Sequence, residues 1–279
     1  MKDVLLEFEK ISFAYEGSRE ALKNLSVSIH RGEKIALLGE NGAGKSTFFL
    51  LCNGVLNPKS GEIRYAGEIV GKSRKEKMKL RQKVGIVFQE PDRQILAATV
   101  GEEISFGPLN LGLSREETEQ RVEEALSRMN LTEYRERPPH YLSGGEKKRV
   151  TIADILAMKP EILLFDEPAS SLDPANAALL EQTLQTLGQE GMTLVISTHD
   201  VNFAWKWAER VLVFSQGELA ADGTPEEIFA NDALLQKAGL KKPLLFEAGE
   251  ILRKAHPEEK IPIPRSIEQF REWAERTIS

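Results

Sequence analysis

The 279-residue sequence has little cysteine, no long apolar run and no excess of basic charge. Its one cysteine, Cys52, excludes an internal disulfide, so the chain needs no oxidising compartment. No stretch approaches the roughly 18 consecutive apolar residues of a membrane-spanning helix, and the N-terminus lacks the apolar core of a signal peptide. With 37 basic against 43 acidic side chains, the net charge of -6 argues against a nucleic-acid partner. We therefore expect a cytosolic protein.

Short apolar runs alternate with helical patterns along most of the chain. Alternating residues at 6–13 and 25–29 predict a small antiparallel sheet near the N-terminus, with the first segment as an edge strand. Later runs predict the buried strands of a mainly parallel sheet, and hence an α/β fold. These runs lie at residues 34–38, 84–88, 162–165, 194–197 and 211–214.

From about residue 95 to 158, helical patterns replace the short apolar runs. This stretch predicts a helical subdomain inserted into the α/β layer. Ser114 and Glu117 form a capping box at the start of one of its helices. Near the end of the chain, four prolines interrupt the pattern. We therefore place one domain at residues 1–240 and a C-terminal appendage at 241–279.

A glycine-rich loop follows the run at 34–38. Residues 39–47 fit the pattern G-x-x-x-x-G-K-[ST] between a strand and a helix. Glycines let backbone amides curl around an anion, and the helix N-terminus adds partial positive charge. Lys45 is placed to reach the outer phosphates of a nucleotide, and Ser46 to ligate Mg²⁺. The predicted nucleotide-binding residues of the loop are Gly39, Glu40, Asn41, Gly42, Ala43, Gly44, Lys45, Ser46 and Thr47.

Two carboxylates end the apolar run at 162–165. Because parallel strands end at one edge of a sheet, Asp166 and Glu167 should lie near the glycine-rich loop. Asp166 suits a contact with Mg²⁺, and Glu167 suits positioning or deprotonating an attacking water. Alone, such a run is more often a plain strand end, but beside the loop a catalytic role is the better interpretation.

The segment at 141–149, Tyr-Leu-Ser-Gly-Gly-Glu-Lys-Lys-Arg, is the most diagnostic. Ser143 is predicted to cap a helix, Glu146 completes a capping box, and Gly144 and Gly145 leave backbone amides open to an anion. Considered alone, the segment predicts only a well-capped helix. Together with the two motifs above, Leu-Ser-Gly-Gly-Glu resembles the signature motif of the ABC-type ATPases. This resemblance implies a P-loop NTPase fold of the ABC ATPase type.

The resemblance covers about residues 4–230 and implies an ATP hydrolase that uses ATP and Mg²⁺. Gln89 matches the family's glutamine that links Mg²⁺ and the attacking water to the transmembrane partner, and His199 matches its switch histidine. Tyr15 matches the aromatic that stacks on adenine, and an exposed strand tyrosine is the alternative. The implied catalytic residues are Glu167, His199 and Gln89, and the implied metal ligands are Ser46, Gln89 and Asp166.

The family's arrangement also implies a head-to-tail dimer with a second copy or a close paralogue. Each ATP then lies between the Lys45 side of one chain and the Ser143 side of the other. The loop at 170–173, Ser-Ser-Leu-Asp, resembles the family loop that contacts the opposing subunit. Residues implied to act across the dimer are Ser143, Gly144, Gly145, Glu146 and Asp173.

Residues 89–107 resemble the energy-coupling-factor importers, and residues 48–56 look closest to the cobalt-importer ATPases of that group. The resemblance implies a peripheral ATPase subunit on the cytoplasmic face of the cell membrane, with an integral membrane coupling subunit and a substrate-binding membrane subunit as partners. Ile95 and Leu96 either meet the coupling subunit or pack locally. The alternative within the group is a vitamin importer. A non-transport ABC ATPase is disfavoured by the acidic charge and the lack of a long coiled coil or second nucleotide domain.

The clearest feature of the appendage is a predicted helix near its end. Ser266 is placed to cap it, and Ile267, Phe270 and Ala274 share one face. This face either packs on its own domain or contacts the second ATPase subunit.

Overall fold

The computed structural model describes residues 3–17, 19–170, 172–256 and 262–278, with side chains as far as residue 275. The strands are β1 (Val4–Ala14), β2 (Glu20–His30), β3 (Lys34–Leu38), β4 (Ser60–Tyr65), β5 (Glu68–Ile69), β6 (Val84–Val87), β7 (Ile162–Asp166), β8 (Thr193–Ser197), β9 (Arg210–Ser215) and β10 (Glu218–Gly223). The helices are α1 (Lys45–Cys52), α2 (Arg74–Lys83), α3 (Val100–Asn110), α4 (Arg115–Arg128), α5 (Gly144–Ala157), α6 (Pro174–Gln189), α7 (Val201–Trp207), α8 (Pro225–Phe229), α9 (Asp232–Lys237), α10 (Leu244–Ala255) and α11 (Ile267–Ile278).

Two sheets organise the chain. A four-stranded antiparallel sheet has the order β2-β1-β4-β5. A six-stranded sheet has the order β10-β9-β3-β8-β7-β6, and all of its pairs are parallel except β10 with β9. The predicted N-terminal antiparallel sheet and mainly parallel sheet are therefore confirmed.

The first strand is not an edge strand, and that sequence prediction is wrong. Phe8 in β1 lies opposite Val27 of β2 on one side and Ile63 of β4 on the other. The alternation of buried Phe8 with exposed Glu7 reports that one face of the sheet is buried. Because strands pair within the plane of the sheet while side chains project above and below it, alternation carries no information about which strands lie alongside.

Two apolar cores cover the opposite faces of the six-stranded sheet. Since successive strand residues point to opposite faces, Ala36 and Leu38 of β3 join one core, and Ile35 and Leu37 join the other. The second core is shared with α1 and the antiparallel sheet. Helices α3, α4 and α5 pack against one another, and α5 also contacts β6. The fold thus brings the carboxyl ends of β3, β7 and β8 to one edge.

The C-terminal segment packs on α7. Phe246 of α10 meets Trp205 edge-on with ring centroids 5.0 Å apart, and Trp205 Nε1 donates a 2.8 Å hydrogen bond to the carbonyl of Pro264. In α11, Ile267 is exposed, whereas Phe270 is half-buried. Across the described ranges, we find no helix with both the length and the apolar composition to span a membrane.

Candidate active site

The loop between β3 and α1 is shaped by glycines in left-handed conformations. The φ angles of Gly39, Gly42 and Gly44 are 146°, 80° and 106°. A Cβ on Gly44 would lie 2.7 Å from the carbonyl oxygen of Ala21, so that position accepts only glycine. The loop thereby turns directly into α1, whose first amides have no partner within the helix and can bind an anion.

The side chain of Lys45 lies inside this loop and is only 7% exposed. Its Nζ donates hydrogen bonds to the carbonyls of Gly39, at 2.6 Å, and Glu40, at 3.2 Å. Burial lowers the pKa of Lys45, and the charges of Glu167 and Asp166 oppose that effect. The ammonium group is therefore poised between the loop and two carboxylates, where it can pair with the oxygens of a phosphate.

The carboxylate of Asp166, at the end of β7, accepts two hydroxyl hydrogen bonds. Ser46 Oγ donates to Oδ2 at 2.7 Å, and Ser197 Oγ donates to Oδ1 at 2.6 Å. Ser197 is in place because β7 pairs in register with β8, with Asp166 opposite it. A hydroxyl and a carboxylate on neighbouring elements are the hard oxygen ligands that Mg²⁺ prefers. Ser46 and Asp166 therefore fit a magnesium site.

Glu167 has an unusual backbone for a non-glycine residue, with φ of 45°. Its amide donates to both the carbonyl and the hydroxyl oxygen of Ser197, each at 3.1 Å. The chain therefore leaves the strand direction at Glu167, whose Oε2 lies 2.9 Å from Nδ1 of His199. A carboxylate held in this way can accept a proton from a water or position it for attack.

One cavity of about 300 Å³ at this edge of the sheet collects most of the sequence-predicted residues. Gly39 contributes through its carbonyl to Lys45, and Ala43 is buried in the core beneath the loop. His199 joins the site through Glu167. The predicted residues that line the cavity are Tyr15, Glu40, Asn41, Gly42, Gly44, Lys45, Ser46, Thr47, Gln89, Asp166 and Glu167.

Tyr15 lies at the rim of this cavity. Its ring packs edge-on against Phe13 with centroids 5.0 Å apart, and its hydroxyl lies 3.2 Å from Oγ1 of Thr47. The side chain is 44% exposed. An aromatic surface beside the phosphate loop is what stacking on a nucleotide base requires.

The signature residues do not line this cavity. The predicted capping box at α5 is present: the Glu146 amide donates to Ser143 Oγ at 3.3 Å, and the Ser143 amide donates to Glu146 Oε2 at 2.7 Å. Ser143 and Gly144 are exposed at the start of the helix. They form a separate surface, as an arrangement that acts on a partner's nucleotide requires.

Asp173 belongs to the same surface. It caps α6, and its Oδ2 accepts a 2.6 Å hydrogen bond from the side-chain amide of Asn176. That amide also occupies the space which a Cβ on Gly145 would need. The first turns of α5 and α6 are therefore closely packed. Ser171, in the loop before Asp173, lies outside the described residues.

Sequence reasoning missed the roles of Ser197 and Lys148. Ser197 is fully buried and joins Asp166 to Glu167, and only the register of β7 on β8 would have pointed to it. Lys148 is 2% exposed, and its Nζ donates to the carbonyls of Phe88 and Gln89. No pattern signals this, because a lysine near a helix start is ordinarily exposed.

A second, larger cleft of about 740 Å³ lies between α2, β6, α3 and α5. Ile95 packs against the core, as the local-packing alternative predicts for it, whereas Leu96 at this cleft is 80% exposed. The apolar residues that line the cleft include Val55, Met78, Phe88, Leu96, Phe106 and Met158.

The same cleft contains two carboxyl groups. Glu103 is buried, and its Oε2 accepts hydrogen bonds from the amides of Leu96, at 2.8 Å, and Ala97, at 2.7 Å. Burial, and after it the charge of Glu103, raises the pKa of Asp154 to about 7, against the effect of a hydrogen bond from Gln94. The cleft is thus mainly apolar, and the charged residues among its lining are Glu103, Asp154 and Arg81.

Comparison with known proteins identifies the family. The family model described as "ABC transporter" matches residues 22–170. The energy-coupling factor transporter ATP-binding protein EcfA of Methanothermobacter thermautotrophicus is 48% identical over 90% of this chain and 81% of its own length. EcfA2 of Methanospirillum hungatei is 45% identical over 94% of this chain, which spans 66% of that relative.

Solved structures agree with this result. CbiO1 of Clostridium perfringens, described as part of the ABC transporter complex cbiONQ, is 38% identical with a TM-score of 0.76, over 90% of this chain and 100% of that one. The ATP-binding cassette MJ0796, a dimer with bound ADP and Pi, is 30% identical with a TM-score of 0.71, over 79% and 99%. The chain therefore belongs to the ABC transporter family, as an ATPase whose hydrolysis of ATP is coupled to transport.

Proposed function

We propose that this chain is the ATP-hydrolysing subunit of an energy-coupling-factor importer for cobalt ions. The ATPase part depends on one observation above all: Lys45, Asp166 and Glu167 meet in a single cavity at the mouth of the phosphate loop. The importer class is supported by relatives that are named energy-coupling factor ATPases. Cobalt is supported by the resemblance of residues 48–56 to the cobalt-importer ATPases of this group.

In this proposal each group at the cavity has a distinct role in phosphoryl transfer. Lys45 and the loop amides bind the β- and γ-phosphates, and Tyr15 stacks on the base. Glu167 accepts the proton of the attacking water, while His199 fixes its carboxylate and contacts the γ-phosphate. Ser46, Asp166 and Gln89 would hold Mg²⁺, which neutralises developing charge on the phosphates.

We assign the surface formed by Ser143 to Glu146 and Asp173 to the nucleotide of a second ATPase subunit, either a copy or a close paralogue. The carrying observation is that Ser143, Gly144 and Asp173 are exposed at two helix starts and lie outside the cavity of their own chain, whereas Gly145 is buried against Asn176. The dimeric cassette MJ0796 gives a precedent for such pairing. Binding of ATP would then close the dimer and hydrolysis would release it.

The apolar cleft is assigned to a helix of the integral membrane coupling subunit. Its volume and its row of exposed apolar side chains suit one helix in a groove. Phe88 lines the cleft and Gln89 lines the nucleotide cavity, so adjacent residues join the two sites. The chain would thus lie against the cytoplasmic face of the membrane, with a substrate-binding membrane subunit in the same complex.

We propose the division of the chain into residues 1–240, with a helical subdomain at about 95–158, and an appendage at 241–279. The appendage packs on α7 through Phe246 and Pro264. Its exposed apolar residues Leu244, Ile251 and Ile267 leave a surface for the second ATPase subunit as well. The two alternatives for the appendage are therefore compatible.

A vitamin importer of the same group is the competing function, because the transported substrate touches a membrane subunit and not this chain. The test is to purify the complete membrane complex, reconstitute it in vesicles and measure ATP-driven uptake of radioactive cobalt against a panel of vitamins. Cobalt uptake that is lost with Glu167→Gln supports the proposal. Vitamin uptake with no cobalt uptake would assign the chain to the alternative, and failure of the chain to co-purify with any membrane subunit would favour a non-transport ATPase.

A further inference from the structure

A buried lysine joins the signature helix to the residue beside the nucleotide cavity. Lys148 of α5 donates hydrogen bonds from Nζ to the carbonyl oxygen of Phe88, at 2.9 Å, and to that of Gln89, at 2.7 Å. Lysine is almost never fully buried unless its charge is paired. Here the partners are peptide carbonyls, so the contact positions the main chain of Phe88 and Gln89, which we term the glutamine segment.

Burial also affects the charge of Lys148. Burial lowers the pKa of Lys148 to about 8, and the negative charge of Asp166 opposes that effect. Within the described ranges, Lys45 in the phosphate loop is the other lysine that is less than a tenth exposed.

A second connection links the glutamine segment to the same helix. The amide of Phe88 donates to Oε1 of Gln94 at 3.3 Å, and Nε2 of Gln94 donates to the carbonyl of Thr151 at 3.3 Å. Thr151 lies about one turn beyond Lys148 on α5. Two successive turns of one helix thus hold a segment whose side chains are themselves exposed.

The N-terminus of this helix carries the signature residues. Ser143 caps α5, and Lys148 follows in its second turn, so the capping residue and the lysine move as one rigid unit. Gln89, held by that lysine, lines the nucleotide cavity of its own chain. A shift of α5 against the sheet would therefore displace Gln89 within the cavity.

We propose that Lys148 is a positioning residue for ATP hydrolysis: it couples the signature helix to the glutamine segment, so that Gln89 is set in the catalytic cavity according to the position of α5. The inference rests on the proposed role of Gln89 and adds to it the side chain that controls its placement. An apolar side chain at position 148 would leave both carbonyls without their buried donor and release the segment.

The test compares the full-length chain with Lys148→Met, Lys148→Arg and Gln89→Ala. Because misplacement by about 1 Å is costly in catalysis, Lys148→Met should lower kcat about tenfold or more and raise the Mg²⁺ concentration for half-maximal hydrolysis. ATP binding in EDTA should stay within about twofold, because the phosphate loop is untouched. Lys148→Arg, which keeps the donors, should recover most of the loss. Lys159→Met removes an exposed lysine paired with Glu124 and serves as the control.

The double variant Lys148→Met/Gln89→Ala separates this inference from the proposed function. If Lys148 acts through Gln89, the double variant hydrolyses ATP no more slowly than Gln89→Ala alone. Additive losses, or an unchanged Mg²⁺ dependence in Lys148→Met, would overturn the inference and leave the role of Gln89 intact. If Gln89→Ala itself changes neither kcat nor Mg²⁺ dependence, the role of Gln89 is wrong and the inference falls with it. Should Lys148→Met fail to fold, Lys148→Gln takes its place, because its shorter, uncharged side chain cannot keep both hydrogen bonds, and an unchanged Mg²⁺ dependence in that variant overturns the inference.

Discussion

Oε2 of Glu167 lies 2.9 Å from Nδ1 of His199, and the Glu167 side chain is 14% exposed against 76% for the histidine. The carboxylate is thus sheltered while the imidazole faces outward. The backbone of Glu167 is held by two hydrogen bonds to Ser197, so the pair is fixed to the edge of the sheet. This arrangement supports the proposed proton-accepting role of Glu167 and leaves the imidazole of His199 accessible to an incoming phosphate.

Replacement of Glu167 by glutamine should stop hydrolysis and spare binding. The amide keeps the size of the side chain but cannot take the proton of water, so we expect kcat to fall by about a hundredfold or more. Release of phosphate and binding of a fluorescent ATP analogue would be measured side by side. Glu181→Gln, in an exposed ion pair with Lys206 on another face, is the matched control. Undiminished hydrolysis in Glu167→Gln would show that a group other than Glu167 accepts the proton of the attacking water.

Lys45→Ala should remove nucleotide binding. Its ammonium is the buried positive charge inside the phosphate loop, and a charged hydrogen bond contributes about 1.5–3 kcal/mol, so affinity should fall by at least about tenfold. Isothermal titration with ATP measures this directly. A thermal melt serves as the control for folding, and tight ATP binding by a folded Lys45→Ala chain would refute the assignment of the loop.

Ser197→Ala tests a residue that the motifs did not reveal. The change removes the hydroxyl that donates to Asp166 and accepts from the Glu167 amide, and we expect about 1.5–3 kcal/mol lower stability. Because Asp166 loses an orienting partner, the Mg²⁺ requirement for hydrolysis should also rise. Denaturant melts and Mg²⁺ titrations are the measurements. Ser105→Ala removes a hydroxyl bonded only to its own helix, and it should leave the Mg²⁺ requirement unchanged.

Asp154→Asn should stabilise the chain at alkaline pH but not in acid. Because burial raises the pKa of Asp154 from 3.8 to about 7, the folded chain retains a proton that the unfolded chain loses between these values. The free energy of unfolding contributed by this group therefore falls as pH rises from about 4 to 7 and stays low above 7. At roughly 1.4 kcal/mol for each pH unit, the variant should gain up to a few kcal/mol at pH 8.5.

Urea melts at pH 4.5 and pH 8.5 check this prediction. Asp232→Asn, whose side chain is 81% exposed, provides the comparison and should show little difference between the two pH values. An equal effect of Asp154→Asn at both pH values would mean that the carboxyl titrates normally in the cleft.

Phe106→Asp should prevent assembly with the membrane subunits. Phe106 is exposed and lines the apolar cleft, so a charge there would be buried when a helix docks. Co-purification of the membrane subunits with the tagged chain measures assembly. Leu109→Asp, on the same helix but outside the lining of the cleft, is the matched control. Normal assembly of Phe106→Asp would place the docking site elsewhere.

Local sequence was sufficient for the elements that carry chemistry. The phosphate loop, the capping box at Ser143 and the strand ending in Asp166 are all specified by residues within a few positions of one another. The edge position predicted for β1 was wrong because lateral pairing depends on segments far along the chain, here β4 as well as β2.

Motif order and spacing alone determined that this chain binds a nucleotide and belongs among the ABC ATPases, because glycines, a lysine and capping residues act through their neighbours in sequence. Local sequence patterns do not specify the strand order β3-β8-β7. This order places Ser197 against Asp166 and brings Glu167 next to His199. The burial of Lys148 over the glutamine segment likewise arises from the packing of α5 beside β6. Such contacts join residues about 30 to 60 positions apart, and only the packed chain brings their side chains within hydrogen-bond distance.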